Sequence, residues 1–287
     1  MVSVSTDAAY FHMVKYKLDK NMSEYDEESE LSVDYAQLYD DHGEYAARRI
    51  DGSHAQTQVL LEAKEFKIPN LVSLFPDEFI ARNVLEIGSA TGELIAHFPT
   101  MRGGRRVGCD ISAKNVEAAK RRYPLVEFFA DDFRQLEPGS FDVVILSDIL
   151  EHVEEDAEFL EDASRLAKFS LVNLPLEDNF LNKNRAYGPS DSSGHLRKYS
   201  YKQGIELFDR SGLRVINHRR VWVHETGVDL KRRQVRAKYL GNEYSGSAMQ
   251  QLIKPIILGA FKSISPLGRK MFASNLFAFA VRGGVAD

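Results

Sequence analysis

The chain has 287 residues, 44% of them hydrophobic, and a formal net charge of −5, so it is long enough for one large α/β domain with an accessory region. The mild charge excludes both a protein-wide basic field for nucleic acid and the strong acidity of solvating disordered chains. The single cysteine, Cys109, excludes an internal disulfide framework, and together with the absence of a recognisable secretory signal it predicts a cytoplasmic protein.

Residues 1–65 are predicted to form an N-terminal helical arm or lid. The first 50 residues are polar and acidic, with weak periodicity. A helix is then expected to begin after Ser53, a good N-cap with Gln56 at the capping-box position, and to end before Pro69.

Short apolar runs alternate with amphipathic stretches over the next hundred residues. The predicted strands are Val84–Ile87, Arg106–Cys109, Val126–Ala130, Phe141–Leu146 and Phe169–Leu174, and the predicted helices are Glu93–Phe98, Ala113–Arg122 and Glu154–Ala167. Nearly continuous apolar strands that alternate with helices are typical of a mostly parallel sheet covered on both faces. We therefore predict a doubly wound α/β fold.

The alternation breaks after Pro175. A polar loop covers residues 177–200, and a helix at Tyr201–Asp209 and a strand at Leu213–Asn217 follow. A final strand is predicted at Asn275–Val281, which gives a seven-stranded sheet and a core made of residues 66–218 with 273–287.

Residues 219–272 are predicted to form a helical insertion. It would cover a substrate site or form a homodimer interface. Its basic cluster could bind a phosphorylated or acidic substrate, RNA or an anionic membrane surface, or form an ordinary solvated helix face. The cluster consists of Arg219, Arg220, Lys231, Arg232, Arg233, Arg236 and Lys238. The apolar run Ile253–Phe261 is too short to span a membrane, although contact with a membrane surface stays open.

The loop after the first predicted strand, Glu86–Glu93, is built from small residues and opens a helix. Glycines at 88 and 92 would let a ligand approach the backbone, but a dinucleotide site would also need glycine where Ala90 and Glu93 stand. A pyrophosphate would be repelled by the two flanking acids, whereas a cationic ligand would be attracted. The loop therefore argues against a nicotinamide-dependent oxidoreductase.

This loop resembles motif I of the class I S-adenosylmethionine-dependent methyltransferases, with Ala90 replacing the usual central glycine. The resemblance covers residues 80–217 and the last strand, and is closest to the small-molecule branch with the ubiquinone-biosynthesis O-methyltransferases. It implies S-adenosylmethionine as the cofactor. The implied cofactor residues at the first two strand ends are Glu86, Gly88, Ser89, Gly92, Asp110 and Ile111.

Three further positions support this resemblance. Asp110 ends the second strand, where an acid can accept hydrogen bonds from both ribose hydroxyls, although it could equally be an N-cap. In the family, an acid after the third strand accepts from the adenine amino group, a role assigned here to Asp132 rather than Asp131, with the Phe133 backbone beside the ring. Ser147 stands at the end of the fourth strand, in a segment that resembles motif IV.

The candidate catalytic residues follow the fourth strand and the polar loop. Asp148, Glu151 and His152 would share one face if the chain is helical there. Their spacing resembles a metal-binding element of some ubiquinone-pathway and small-RNA methyltransferases, and His195 is the candidate for the fourth ligand. Such mixed ligands leave the divalent ion open. Alternatively, Glu151 and His152 are ordinary helix-surface and packing residues. A separate hypothesis is that His195 or His152 acts as a general base.

The sequence thus predicts O-methylation of a hydroxylated small molecule, sugar or glycan intermediate with a histidine base. A metal-assisted O-methyltransferase acting on RNA or a phosphorylated acceptor is one alternative. A non-catalytic scaffold that binds S-adenosylmethionine is another. The segment Ser147–Leu150 differs from the Asn/Asp-Pro-Pro-Tyr/Phe element of nucleic-acid base N-methyltransferases, so a nucleic-acid base is disfavoured.

Overall fold

The computed structural model describes residues 54–178, 182, 187–188, 194–240 and 273–283. The sequence-based predictions for residues 1–53, including the N-cap at Ser53, and for the apolar run Ile253–Phe261 lie outside these residues. The helices are α1 (His54–Glu62), α2 (Ile68–Val72), α3 (Glu93–His97), α4 (Ala113–Arg122), α5 (Asp156–Arg165), α6 (Tyr201–Arg210), α7 (Val223–Thr226) and α8 (Val228–Leu240). The strands are β1 (Asn83–Ile87), β2 (Arg105–Cys109), β3 (Glu127–Phe129), β4 (Phe141–Ser147), β5 (Ala167–Pro175), β6 (Leu213–Val221) and β7 (Asn275–Arg282).

The sheet has the order β3-β2-β1-β4-β5-β7-β6. The first five strands are parallel, and β7 runs antiparallel to both β5 and β6. The predicted seven-stranded, mostly parallel, doubly wound fold is therefore confirmed. Asp142 fixes the amino-terminal edge of β1 against β4, because its Oδ2 accepts hydrogen bonds from the Arg82 and Asn83 backbone N–H groups at 2.9 and 2.8 Å.

Apolar side chains cover both faces of this sheet. Along β4, Val144 and Leu146 pack into one core cluster while Ile145 packs into the other. All three are fully buried, and burial of each such side chain stabilises the fold by roughly 1.5–3 kcal/mol. Burial on both faces explains why the strands read as continuous apolar runs.

The first helical segment continues past the predicted end at Pro69. A π-helical turn, Ala63–Lys67, follows α1, and the Ile68 N–H donates to the Ala63 carbonyl. Pro69 then lies in the first turn of α2, where the backbone N–H that proline lacks is not required. The expectation that the helix ends before Pro69 was wrong, because the chain stays helical through the π-turn and into α2.

Strand β6 is longer than predicted. It continues past Asn217 to Val221, and Val221 pairs with Asn275 of β7. Arg219 and Arg220 therefore belong to a strand, although the sequence placed them in the insertion. The apolar pattern is lost here because β6 is an edge strand whose residues 217–219 are exposed.

Helix α8, in the predicted insertion, packs against the first helical segment. Lys231 pairs with Glu65, and Arg232 Nη1 lies 3.2 Å from Glu62 Oε2. The basic residues at these two positions thus compensate acids within the same protein. Within the described ranges, no helix is long and apolar enough to cross a membrane.

Candidate cofactor and acceptor site

The carboxyl ends of β1 to β5 lie at one edge of the sheet, because these strands are parallel. From β1, the strand order continues to β2 and β3 on one side of the sheet. On the other side of β1 it continues to β4 and β5. Ligands of open α/β sheets bind at such a reversal of strand order. The sequence-predicted site residues at positions 86–92, 110–111, 131–133 and 147–152 all follow or end strands at this edge.

The loop after β1 has a backbone that requires its glycines. Gly88 and Gly92 have φ values of 74° and 85°. A Cβ at Gly88 would lie 2.6 Å from Ile149 Cδ1, and one at Gly92 would lie 2.6 Å from Phe128 Cζ. Ala90 also has a positive φ, 45°, so the residue that replaces the family's usual glycine keeps the left-handed conformation at some cost in strain.

The loop is held to β2 by hydrogen bonds. The Gly88 and Ser89 N–H groups donate to the Cys109 carbonyl at 2.8 and 2.9 Å. The Ala90 N–H donates to Asp110 Oδ2 at 2.7 Å. Cys109 itself is buried as the sequence predicted, and burial raises the pKa of its thiol to about 12.

Asp110 is nearly buried and holds several groups in place. Its Oδ1 accepts from the Ser112 N–H at 3.0 Å and from Asn115 Nδ2 at 3.2 Å. The N-cap of α4 is Ser112, whose side chain accepts from the Asn115 N–H, so Asp110 is not the N-cap. Its neighbour Ile111 is 51% exposed, which leaves an apolar side chain open beside this acid.

The acids after β3 lie at the rim. Asp131 Oδ1 accepts from the Asp132 N–H at 2.8 Å and from Gln135 Nε2 at 2.9 Å. Asp132 Oδ1 accepts from the Arg134 N–H at 3.0 Å. The Phe133 ring is buried in the core, so Phe133 has only its backbone to offer a ligand.

Two acids flank the glycine loop, but only one is compensated by a nearby ion pair with arginine. Glu93 is paired with Arg122 and accepts a hydrogen bond from the Thr91 hydroxyl at 2.6 Å. Glu86 is 4% exposed and accepts from the Ile95 N–H at 3.0 Å. Burial raises the pKa of Glu86 to about 8, an effect that the positive charge of Lys67 reduces. A cationic ligand beside Glu86 would therefore stabilise the ionised form of this acid.

A polar network joins the ends of β4, β5 and β7. Asn173 Nδ2 donates to Ser147 Oγ and to Asp148 Oδ1, both at 3.0 Å. Asn275 Nδ2 donates to Asn173 Oδ1 at 2.9 Å, and Lys67 Nζ lies 2.6 Å from Asp148 Oδ2. Sequence reasoning missed Lys67 and Asn173, since both lie far along the chain from Asp148.

The turn after β4 differs from the predicted helical face. Asp148 has a φ of 54°, and a single 3₁₀ turn, Leu150–His152, follows it. One ligand atom from each of Glu151, His152 and His195 lies within 4.8 Å of the other two, and Asp148 is not in this group. The structure thus brings together three of the four proposed metal ligands, by a long-range contact with His195 rather than by one helix face.

Both imidazoles are held through Nδ1. His152 Nδ1 is 2.9 Å from the Gly194 carbonyl, and His195 Nδ1 is 2.6 Å from Glu177 Oε2. Because these partners accept hydrogen bonds, Nδ1 is the donor in each neutral ring, and Nε2 of each ring lies toward Glu151. The two rings form an edge-to-face pair with centroids 4.7 Å apart. Glu177 is a further residue that sequence reasoning missed.

The Glu151 carboxylate lies near both rings. It is 1% exposed, and neither oxygen has a hydrogen-bond partner among the described residues. Its Oε1 is 3.8 Å from His152 Nε2 and 4.0 Å from His195 Nε2. Burial and the charge of Asp148 raise the pKa of Glu151 well above its ordinary value. A buried acid without a partner marks a position that a ligand could complete.

The described side chains of the predicted basic cluster contact different residues of the protein. Arg219 donates to Ser73 Oγ at 3.0 Å, and the Arg220 guanidinium stacks on the Tyr201 ring at 4.2 Å. As described above, Lys231 and Arg232 pair with acids of the first helical segment. The side chains of the remaining three members lie outside the described residues.

Comparison with known proteins gave a family match and structural neighbours. Residues 85–169 match the family model described as "Methyltransferase domain". No curated protein sequence matches the chain. Magnesium protoporphyrin IX methyltransferase from Synechocystis PCC 6803 with bound S-adenosylmethionine is similar, with a TM-score of 0.50 and 16% identity over 89% of this chain and 100% of that one.

A second similar structure is phosphoethanolamine N-methyltransferase 2 from Haemonchus contortus, in complex with S-adenosyl-L-methionine. Its TM-score is 0.55 and its identity 17%, over 88% of this chain and 61% of the other. Likeness at such identities shows a shared fold, while the family match includes the loop at 88–92, the acids at 110 and 131–132, and the end of β4. Residues 85–169 therefore match a methyltransferase domain, and the chain has the class I fold of these two structures.

Proposed function

We propose that this protein is an S-adenosylmethionine-dependent enzyme that methylates a hydroxyl group of a small hydroxylated molecule, such as a sugar or glycan intermediate. The observation that carries the proposal is the Glu177–His195 pair, with 2.6 Å between Oε2 and Nδ1. A carboxylate that holds one imidazole nitrogen directs the other toward a proton to be removed. A hydroxyl acceptor needs such a base, because it must lose its proton as it is methylated.

The cofactor would lie across the loops that follow β1 to β4. Asp110 would accept from the ribose hydroxyls, and Asp132, with Asp131 beside it, would accept from the adenine amino group. Glu86 would face the positively charged methionyl end, whose sulfonium and ammonium suit a buried acid. The backbone at Gly88, Ser89, Gly92, Phe133 and Ser147 would complete the contacts, with Ile111 covering the adenine.

The transfer is an in-line displacement. Bound S-adenosylmethionine would supply the methyl group to the acceptor oxygen, and S-adenosylhomocysteine would be the leaving group, with the electron pair of the broken carbon–sulfur bond on its sulfur. The hydroxyl proton passes to His195 Nε2. Most of the rate gain comes from alignment of the two reactants, and the base adds roughly 10²- to 10⁴-fold.

His195 is favoured over His152 as the base by its partner. The Glu177 carboxylate stabilises the imidazolium that forms when His195 takes the proton. His152 instead faces the neutral Gly194 carbonyl, which orients the ring with less electrostatic support. His152 stays the alternative base.

A metal-assisted reaction on RNA or a phosphorylated acceptor is the second candidate, and the unpartnered Glu151 carboxylate favours it. Glu151, His152 and His195 supply one oxygen and two nitrogen atoms, a donor set that fits Zn²⁺, Mn²⁺ or Fe²⁺ better than Mg²⁺ or Ca²⁺. Both histidines also have the Nδ1 partners typical of metal ligands. A bound ion would orient the acceptor oxygen and help it to lose its proton.

Two measurements test the proposal. A panel of sugars, glycan intermediates, phosphorylated metabolites and short RNAs is incubated with the enzyme and S-adenosylmethionine, and products are sought by mass spectrometry as a gain of one CH₂. The metal question is decided by repeating the assay after dialysis against EDTA and after addition of Zn²⁺ or Mn²⁺. Methylation of a nitrogen or carbon atom in the preferred acceptor would overturn the O-methylation proposal.

A further inference from the structure

Lys67 is a charged residue at the sheet edge that belongs to none of the motifs described above. Lys67 is the last residue of the π-helical turn Ala63–Lys67, and π-turns within helices are frequent at functional sites. Its side chain is 18% exposed, and its ammonium lies 2.6 Å from Asp148 Oδ2. It reaches the sheet edge from the first helical segment, outside the matched family segment of residues 85–169.

The Lys67 ammonium lies beside Asp148, at the point where the strand order reverses. Asp148 follows β4, and Glu86 lies within β1, the neighbouring strand. Burial raises the pKa of Glu86 and of Glu151, and the positive charge of Lys67 opposes part of both shifts. Within the described part of the chain, Lys67 is thus a cation set among three acids from two adjacent strand ends.

The methionyl end of the cofactor carries three charges. The sulfonium and the ammonium are positive, and acids such as Glu86 suit them. The α-carboxylate is negative and would be repelled by the same acids unless a cation accompanied it. A charge-assisted hydrogen bond to a partly buried ammonium is a strong way to hold such a carboxylate.

We propose that Lys67 binds the α-carboxylate of S-adenosylmethionine and so positions the methionyl end of the cofactor. The pairing with Asp148 holds the ammonium in place before the cofactor arrives. This inference rests on the proposed placement of the cofactor, with its adenosine at the ends of β2 and β3. It also assigns the first helical segment a direct part in cofactor recognition.

The test compares two ligands by isothermal titration calorimetry. S-adenosylhomocysteine carries the α-carboxylate, whereas 5′-methylthioadenosine keeps the adenosine and sulfur but lacks the amino-acid end. K67M should weaken S-adenosylhomocysteine binding about 10- to 100-fold and leave 5′-methylthioadenosine binding within about 2-fold of the wild type. K67R, which keeps the positive charge, should weaken S-adenosylhomocysteine binding less than K67M does.

The matched control is K64M, because Lys64 lies on the same π-turn and is exposed; both affinities should stay at the wild-type level. Unchanged or tighter S-adenosylhomocysteine binding by K67M would show that Lys67 only compensates the acids, and equal weakening of both ligands would show that it only shapes the pocket. Either result overturns the inference. Wild-type protein that bound neither ligand would instead contradict the proposed cofactor site.

Discussion

The two halves of the sheet edge are built in different ways. On the proposed adenosine side, after β2 and β3, Asp110, Asp131 and Asp132 accept from backbone N–H groups within two residues or on the adjacent loop, as Asp110 does with Ser112 and Ala90. On the proposed acceptor side, after β4 and β5, the groups come from distant parts of the chain. Lys67 meets Asp148 there, and His195 meets Glu151.

The two sides also differ in how well their polar groups are satisfied. Asp110 accepts hydrogen bonds from the Ala90 N–H, the Ser112 N–H and Asn115 Nδ2, so its position is fixed before any ligand binds. Glu151 is also buried, and no described residue donates a hydrogen bond to its carboxylate. A fixed acid suits a cofactor that is the same in every turnover, whereas an incomplete cluster leaves room for the acceptor or an ion to supply the missing contact.

The largest effect is expected on the acceptor side. His195→Ala should lower kcat by roughly 10²- to 10⁴-fold because it removes the proposed base, while the affinity for S-adenosylhomocysteine stays within about 2-fold. Steady-state kinetics on the identified acceptor and calorimetry measure the two quantities. Glu177→Gln should give a smaller loss of kcat, since the imidazole remains but loses its charged partner.

The control for this prediction is His218→Ala. His218 is exposed on β6 and bonds to the Tyr201 hydroxyl at 2.7 Å, so its removal should leave kcat unchanged. If His195→Ala kept full activity, the base would have to be sought at His152. If it abolished cofactor binding as well, the two sides of the site would not be separable in the way described.

The second-largest effect is expected on the adenosine side. Asp110→Asn should weaken S-adenosylhomocysteine binding about 10- to 100-fold, because the carboxylate is both a proposed ribose ligand and the acceptor that holds the Ala90 N–H. Calorimetry gives the affinity. The mutation should change kcat at saturating cofactor much less than His195→Ala does.

Asp142→Asn is the matched control, since Asp142 also accepts two backbone N–H groups but at the opposite edge of the sheet. It should lower the thermal stability and leave cofactor affinity intact. Equal affinity losses in the two variants would mean that Asp110 acts only through stability.

How far the sequence predicts this molecule follows the same division. The fold follows from the periodicity of the apolar runs, and the proposed adenosine side follows from the resemblance of Gly88, Gly92 and Asp110 to motifs of the family. Lys67, Asn173 and Glu177 escaped because no local pattern marks them, and their contacts, such as that of Glu177 with His195, exist only in the folded chain. The assumed helical face at Asp148 was wrong because that residue adopts a positive φ.

A third test concerns the backbone of the adenosine side. Gly92→Ala should destabilise the fold by roughly 1–3 kcal/mol, since it adds a Cβ at a φ of 85° and 2.6 Å from Phe128 Cζ. Gly139→Ala is the control, because its φ is 72° but, apart from its two chain neighbours, no described residue has an atom within 4 Å of the added Cβ. It should cost only the backbone strain, roughly 1 kcal/mol. Equal shifts in denaturant midpoint would show that contact with Phe128 does not limit the loop.

The smallest effect, taken over a single pH unit, is expected from Glu86, whose strand β1 lies next to β4. Its folded pKa of about 8 lies above the ordinary 4.5, so the protonated form stabilises the empty protein below about pH 4.5 and this contribution is lost as the pH rises to about 8. The slope is at most about 1.4 kcal/mol per pH unit. Lys67, Glu93 and Asp110 are the charged groups that face it. Glu86→Gln should remove this slope from chemical denaturation curves.

A cationic cofactor should favour the ionised form of Glu86. Wild-type protein should therefore release protons when it binds S-adenosylmethionine near pH 7, and Glu86→Gln should release fewer; calorimetry in buffers of different ionisation enthalpy measures the difference. Identical proton release by both proteins would place the sulfonium away from Glu86. The acids after β4, rather than Glu86 in β1, would then bind the positive charges of the cofactor. The methionyl end would accordingly lie on the acceptor side of the sheet edge.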